Sequence, residues 1–228
     1  MTVADWIEEK PGPGRLGRHI EHDPASRAFP VVPVGAPLVK VLHVRRVAAF
    51  DQGNLGSCTG NAATGILDTV PFRDTSKPPY YEKYAVGVYA DATVIDGFPG
   101  QYPPDDTGSS GLAVAKVLKN RGLISVYNHA FGITAALEAL QTNAVITGVN
   151  WYSGFDDPDP VTGIAKLGGH VRGGHEFEVL GYDPATDLVT AINSWGTGWG
   201  LKGRFRFTSK DWAQLLAEQG DVTVPVPL

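Results

Sequence analysis

The chain has 228 residues, of which 43% are hydrophobic and 10% aromatic, enough apolar material for one compact core without covalent staples. Its formal net charge of −5 argues against a nucleic-acid partner and gives no attraction to anionic membranes. No apolar run approaches the roughly 18 residues that a membrane-spanning helix needs. A single cysteine excludes an intrachain disulfide.

The first 46 residues are rich in proline, glycine and charged residues. The N-terminus lacks a basic stretch followed by an apolar run, so we expect no secretory signal and a cytoplasmic protein. His19, His22 and Asp23 are potential metal ligands, but no third cluster accompanies them, and we expect a solvated tail there instead. The sequence predicts neither a metal nor a cofactor.

The pattern of apolar residues predicts helices in both halves of the chain and strands toward its end. The predicted helices lie at about 58–70, 80–91, 112–121, 133–141 and 208–218. The last of these begins with a sequence typical of a capping box. The predicted strands lie at 144–151, 177–182, 188–193 and 203–207. The segment 153–174 contains three aspartates and is expected to be a mobile acidic loop.

Cys58 follows Ser57 at the start of the first predicted helix. Unpaired N–H groups and the macrodipole at a helix N-terminus favour an anion, so we expect the pKa of this thiol to lie below its free value of roughly 8.5. A nearby imidazolium would lower that pKa further and give an activated thiolate–imidazolium pair. A lone buried cysteine is more often an inert hydrophobe, but the glycine, serine and asparagine neighbours of Cys58 suit a core poorly.

Two histidines, His170 and His175, each follow a pair of glycines. The residues 177–183 after His175 predict a strand that ends in a turn, whereas 171–174 after His170 predict a loop. We therefore assign the base to His175 and keep His170 as the alternative.

Asn193 and Gln52 have side chains suited to the remaining roles in amide hydrolysis. The carbonyl of Asn193 can accept a hydrogen bond from the imidazole and so fix its tautomer and direction. The amide of Gln52 can donate to a developing oxyanion alongside the backbone N–H of Cys58. Each residue taken singly is more often an ordinary turn or loop residue.

The order glutamine, cysteine, histidine, asparagine, within the local strings at 52–58, 173–175 and 193–200, resembles the papain-like cysteine peptidases. The resemblance covers about 47–207. It implies an α+β fold of two lobes, with Trp195 covering the contact between the asparagine and the histidine. The implied divisions are a short leader at 1–46 that wraps the domain, a helical lobe at about 47–130 and a β-rich lobe at about 131–228.

The resemblance also implies a substrate cleft. Its wall would be Thr107, Gly108 and Ser109, whose backbone pairs with an extended substrate, with Gly174 on the other side. Glu176, following the predicted catalytic histidine, would border a side-chain pocket and favour a basic substrate residue. The alternative is that strand alternation turns Glu176 and Glu178 together toward solvent.

These features predict a monomeric thiol-dependent endopeptidase acting on a peptide or protein, with a peptidoglycan stem peptide as one candidate substrate. Two alternatives stay open: acyl transfer by the same mechanism, and a catalytically idle papain-fold protein that serves as a binding or virion component. The short leader favours a bacteriophage or actinobacterial source, for which a virion-associated location is a further alternative to the cytoplasm.

Overall fold

The computed structural model describes residues 3–5, 9 and 12–228. The five predicted helices are confirmed within that part of the chain, with ends that differ from the expected ones by a few residues. They are α1 (Cys58–Leu67), α2 (Glu82–Ile95), α3 (Gly111–Asn120), α4 (Ile133–Leu140) and α5 (Ser209–Ala217). None of these helices is long and apolar enough to cross a membrane. Short 3₁₀ helices lie at Pro24–Ala28 and Ser153–Phe155.

The described residues also form nine strands. They are β1 (Val3–Asp5), β2 (Ile20–His22), β3 (Val41–Leu42), β4 (Val126–His129), β5 (Val145–Tyr152), β6 (Val171–Asp183), β7 (Leu188–Ile192), β8 (Arg204–Thr208) and β9 (Asp221–Val226). β1 pairs with β2, and the other seven form one antiparallel sheet in the order β4-β9-β5-β6-β7-β8, with β3 also paired to β6. The four predicted strands are confirmed, and the combination of helices with an antiparallel sheet confirms the α+β class.

The strand β6 is longer than expected. The residues 171–174, predicted to form a loop, are its first four residues and pair with β5. The preceding segment is also more ordered than a mobile acidic loop, because Asp156 accepts 2.8 Å hydrogen bonds from Trp151 Nε1 and Arg172 Nη1. Glycines at 173 and 174 suggested a loop, but their small size instead lets other segments pack closely against the strand.

Two hydrophobic clusters define two lobes. One packs α1, α2 and α3 against each other and against one side of the sheet through Ile66, Val88, Val114, Leu118 and Leu180. The other, on the strand-rich side, is dominated by aromatic rings: Trp151, Phe155, Phe177, Phe205, Phe207 and Trp212. Because β6 contributes side chains to both clusters, its two faces are both buried.

Burial of both faces explains why Glu178 does not lie in solvent, contrary to the alternative raised from strand alternation. Its side chain is fully buried and accepts hydrogen bonds from Arg45 Nη1 at 2.7 Å and Thr69 Oγ1 at 2.5 Å. A buried carboxylate requires such partners, and here they join β6 to the segment before α1 and to the end of α1.

The predicted capping box of α5 is present. Thr208 Oγ1 accepts from the N–H of Asp211 at 3.0 Å, and the Asp211 carboxylate accepts from the N–H of Thr208 at 3.3 Å. We expect Thr208→Ala to lower the free energy of unfolding by about 1 kcal/mol, because a helix N–H loses its acceptor. Urea denaturation measures this change, and Thr208→Ser, which keeps the oxygen, serves as the control. If both variants lost the same free energy of unfolding, the effect would come from the methyl group of Thr208 and not from its oxygen.

Candidate active site

Cys58 is the first residue of α1 and is fully buried. Ser57 occupies the N-cap position, and the preceding Gly56 N–H donates to the Asp106 carboxylate at 3.0 Å. Asp106 also accepts from Tyr89 Oη at 2.7 Å, so the turn that presents the thiol is fixed from α2. No sequence pattern indicated this contribution of Asp106.

His175 lies in β6 and contacts Asn193, the residue that follows β7. Its Nε2 lies 2.7 Å from Asn193 Oδ1, which also accepts from the N–H of Ser194 at 2.7 Å. Because an amide carbonyl oxygen has no hydrogen to donate, Nε2 carries the hydrogen and Nδ1 keeps the lone pair. Nδ1 is buried without a hydrogen-bond partner among the described residues. The imidazole is therefore held in the tautomer that a base requires.

Two indoles enclose this contact. The Trp195 ring centroid lies 5.1 Å from that of His175, and Trp151, a residue that the sequence did not single out, lies 4.8 Å away on another side. The rings exclude water from the hydrogen bond between His175 and Asn193. Trp195 therefore packs beside the contact between His175 and Asn193.

Gln52 is hydrogen-bonded to Ser194, the residue that follows Asn193. The Gln52 N–H donates to Ser194 O at 2.9 Å, and Ser194 Oγ donates to Gln52 Oε1 at 2.5 Å. These bonds fix the orientation of the amide, with its NH₂ group on the side away from Ser194. That group donates to Leu55 O at 2.7 Å and to Arg15 O at 3.2 Å.

No family model and no curated protein matches the chain. Solved structures do match. Xylellain, a cysteine protease from Xylella fastidiosa, has a TM-score of 0.75 at 18% identity over 97% of this chain and 99% of that one. The digestive procathepsin L 3 of Tenebrio molitor larval midgut has a TM-score of 0.61 at 15% identity over 94% of this chain and 75% of that one. The Carica candamarcensis cysteine protease CMS1MS2, in complex with E-64, has a TM-score of 0.57 at 16% identity over 79% and 93%.

This chain has the papain-like fold. The likeness confirms the expected two-lobed architecture as a fold. The roles of individual residues have to be argued from the geometry of this chain.

In this papain-like fold the cleft between the lobes is filled by the chain's own N-terminal segment. The N–H groups of Gly17 and Arg18 donate to Gly174 O at 3.1 and 3.0 Å. Opposite them, Ser109 N–H donates to Gly17 O at 2.8 Å and His19 N–H donates to Ser109 O at 2.7 Å. The backbones of Ser109 and Gly174, predicted to bind an extended substrate, therefore bind the leader.

The remaining residues of the predicted cleft wall also contact the leader. Thr107 O is hydrogen-bonded by the ring of His19, and Gly108 has a φ of +72°. A Cβ on Gly108 would lie 2.4 Å from Gly17 O, so only glycine allows this approach. His19 is nearly fully buried, which corrects the expectation of a solvated tail. The described residues contain no cluster of metal-ligating side chains.

The alternative base, His170, lies outside this arrangement. It is exposed at the residue before β6, where its Nδ1 is 3.4 Å from Ser153 Oγ. His175 instead faces the buried side of the cleft and is fully enclosed.

Burial shifts the pKa values of both Cys58 and His175. Burial raises the pKa of the Cys58 thiol to about 12, and the Glu176 carboxylate adds to the rise, while hydrogen bonds from the backbone of Glu176 and Thr59 oppose it. Burial lowers the pKa of His175 to about 4, against the hydrogen bond to Asn193. The expected low thiol pKa is therefore wrong for this closed form, because the loss of water outweighs the helix N-terminus.

Proposed function

We propose that this protein is a thiol-dependent endopeptidase that hydrolyses peptide bonds through Cys58, His175 and Asn193. The observation that carries the proposal is the 2.7 Å contact between His175 Nε2 and Asn193 Oδ1, which leaves Nδ1 without a hydrogen-bond partner among the described residues and free to act as a base. The backbone of Glu176, adjacent to His175, hydrogen-bonds to the Cys58 sulfur. This contact between the residue next to the proposed base and the proposed nucleophile supports assigning both to one site.

The reaction begins when His175 Nδ1 takes the proton of the Cys58 thiol. The sulfur then attacks the peptide carbonyl, and the oxygen that gains the charge is stabilised by the NH₂ group of Gln52 and the N–H of Cys58. The imidazolium gives its proton to the departing amine, which leaves a thioester on Cys58. A water molecule, deprotonated by His175, releases the acid and restores the thiol.

This sequence of steps requires that the leader leave the cleft. Gln52 and Trp195 Nε1 both donate to Arg15 O, at 3.2 and 3.1 Å, so a leader carbonyl takes the hydrogen bond proposed for the oxyanion. The closed form thus combines a blocked cleft with a neutral thiol. We propose that hydrolysis begins only after the segment around Gly17 is displaced.

Cleavage of a peptide library by the full-length Arg18→Ala protein tests the function. The substitution removes a side chain that anchors the leader. We expect the Arg18→Ala protein to hydrolyse peptides and the Arg18→Ala/Cys58→Ala protein not to do so. Product masses measured with an added primary amine separate hydrolysis from acyl transfer, because transfer adds the mass of the amine. If the opened protein binds peptides but cleaves none, the idle binding component is the correct alternative.

A further inference from the structure

The side chain of Arg18, a residue of the leader, lies in an enclosed acidic pocket beside the proposed catalytic residues. It is fully buried, and its Nη2 donates to Asp221 Oδ2 at 2.5 Å and to Gln219 O at 2.9 Å. Transferring a guanidinium out of water is costly unless charged and polar partners replace the water. The pocket supplies those partners from Asp221, the first residue of β9, and from Gln219, two residues before it.

Two glycines create the space that the guanidinium occupies. Gly148 of β5 pairs with Glu176 on one side and with Asp221 on the other, so the three residues lie in one row across the sheet. A Cβ on Gly148 would lie 2.6 Å from both Arg18 Nε and Glu176 Oε2. A Cβ on Gly111, at the start of α3, would lie 2.4 Å from Glu176 Oε1. Any larger residue at either position would fill this space.

Glu176 offers the pocket hydrogen-bond acceptors that the leader does not use. Its carboxylate is fully buried, and neither oxygen has a hydrogen-bond partner among the described residues. Burial and the nearby Asp221 raise the pKa of Glu176, and the charge of Arg18 opposes this rise. The Nε and Nη1 atoms of Arg18 are likewise buried without partners. A guanidinium that enters on a different backbone can therefore form hydrogen bonds that Arg18 does not.

The pocket is also placed where a substrate side chain would enter. Arg18 N–H donates to Gly174 O, and Gly174 is separated from Glu176 only by His175. A peptide that uses the same backbone acceptor projects a side chain toward the same row of residues. Guanidinium, with five N–H donors in a plane, suits acceptors on several sides better than an ammonium does.

We propose that the arginine pocket, formed by Gly111, Gly148, Glu176, Gln219 and Asp221, selects peptide substrates that carry an arginine, and that Arg18 of the leader occupies it in place of the substrate. The proposal rests on the peptidase function proposed above and names its substrate class.

Peptides that differ only in one side chain test the pocket. Each position of a cleaved peptide is filled in turn with arginine, with its neutral isostere citrulline or with leucine, and kcat/KM is measured for full-length Arg18→Ala protein. At one position we expect arginine to exceed citrulline by about 10–10²-fold, since hydrogen bonds to charged groups contribute about 1.5–3 kcal/mol. Adding Asp221→Asn should lower that ratio, because it removes one of the two pocket carboxylates that favour a guanidinium. Adding Asp74→Asn, in an exposed turn, should leave it unchanged.

The outcomes separate the pocket from the peptidase function. Cleavage with equal rates for arginine and citrulline at every position would overturn the pocket and keep the function. If no peptide is cleaved, the peptidase function fails, and calorimetric titration of the Arg18→Ala/Cys58→Ala protein with the same peptides decides the pocket. Tighter binding of the arginine peptide than of the citrulline peptide would support it, and equal binding would overturn it.

Discussion

Replacing Gly17 with valine is expected to raise the rate at which iodoacetamide alkylates Cys58 at pH 7 by about 10³-fold. A Cβ at this position would lie 2.2 Å from Gly56 O, a backbone atom that cannot move aside, so the leader cannot keep its place in the cleft. We expect water then to reach the thiol, whose pKa burial raises to about 12 in the closed protein. Each unit of thiol pKa changes the thiolate fraction tenfold at neutral pH.

The dependence of alkylation on pH shows whether the valine variant is opened or unfolded. A raised pKa means that the closed protein keeps a neutral thiol, so its alkylation should become fast only at strongly alkaline pH. In the opened fold, the helix N-terminus and His175 should sustain alkylation below the free-thiol pKa of roughly 8.5. A reactivity that follows free cysteine would indicate unfolding.

Val34→Ala provides the matched control, since Val34 belongs to the leader but is highly exposed. Its alkylation rate should equal that of the unchanged protein. If the Gly17→Val protein also matched the unchanged protein while remaining folded, the leader would not control the reactivity of Cys58.

The helix and strands that bear the proposed catalytic residues could be predicted from the sequence. Helical spacing after Cys58 predicted α1, and the contrast between the residues after His170 and those after His175 separated the two histidines. These signals are local, because a helix period and a strand that ends in a turn depend on neighbours along the chain. The capping box at Thr208 was predictable for the same reason.

The features that the sequence did not predict depend on contacts between distant segments. Burial of Glu176 and Glu178 follows from packing on both faces of β6, which a two-residue alternation cannot show. Asp221 joins Glu176 only because β5 lies between their strands. The path of Arg18 through the cleft is set by Gly174 and Ser109, more than 90 residues away along the chain.

The same distinction explains the error about the thiol. A helix N-terminus lowers a thiol pKa through a local electrostatic effect, and the sequence shows that position directly. Desolvation depends on all the segments that pack around the thiol, acts in the opposite direction and is stronger when burial is complete. In the closed form desolvation determines the pKa of Cys58, and we expect the local effect to determine it once the leader has left.

Gln52→Ala, made in the Gly17→Val protein, is expected to lower kcat for peptide hydrolysis by about 10²–10³-fold with little change in KM, the usual consequence of removing one oxyanion donor. The opened background is necessary because Gln52 also donates to Arg15 O. In the closed protein its removal would loosen the leader and impair the chemistry together, and these two effects on the rate have opposite signs.

Two further variants show whether the donor itself is responsible. Gln52→Glu keeps an oxygen that can accept the 2.5 Å hydrogen bond from Ser194 Oγ but has no NH₂ group. If the donor matters, glutamate should reduce kcat at least as strongly as alanine, since a carboxylate repels the oxyanion. Asn54→Ala, in the exposed part of the same loop, should retain kcat. A loss in Asn54→Ala as large as that in Gln52→Ala would attribute the effect to disruption of the loop, and Gln52 would then not be a donor to the oxyanion.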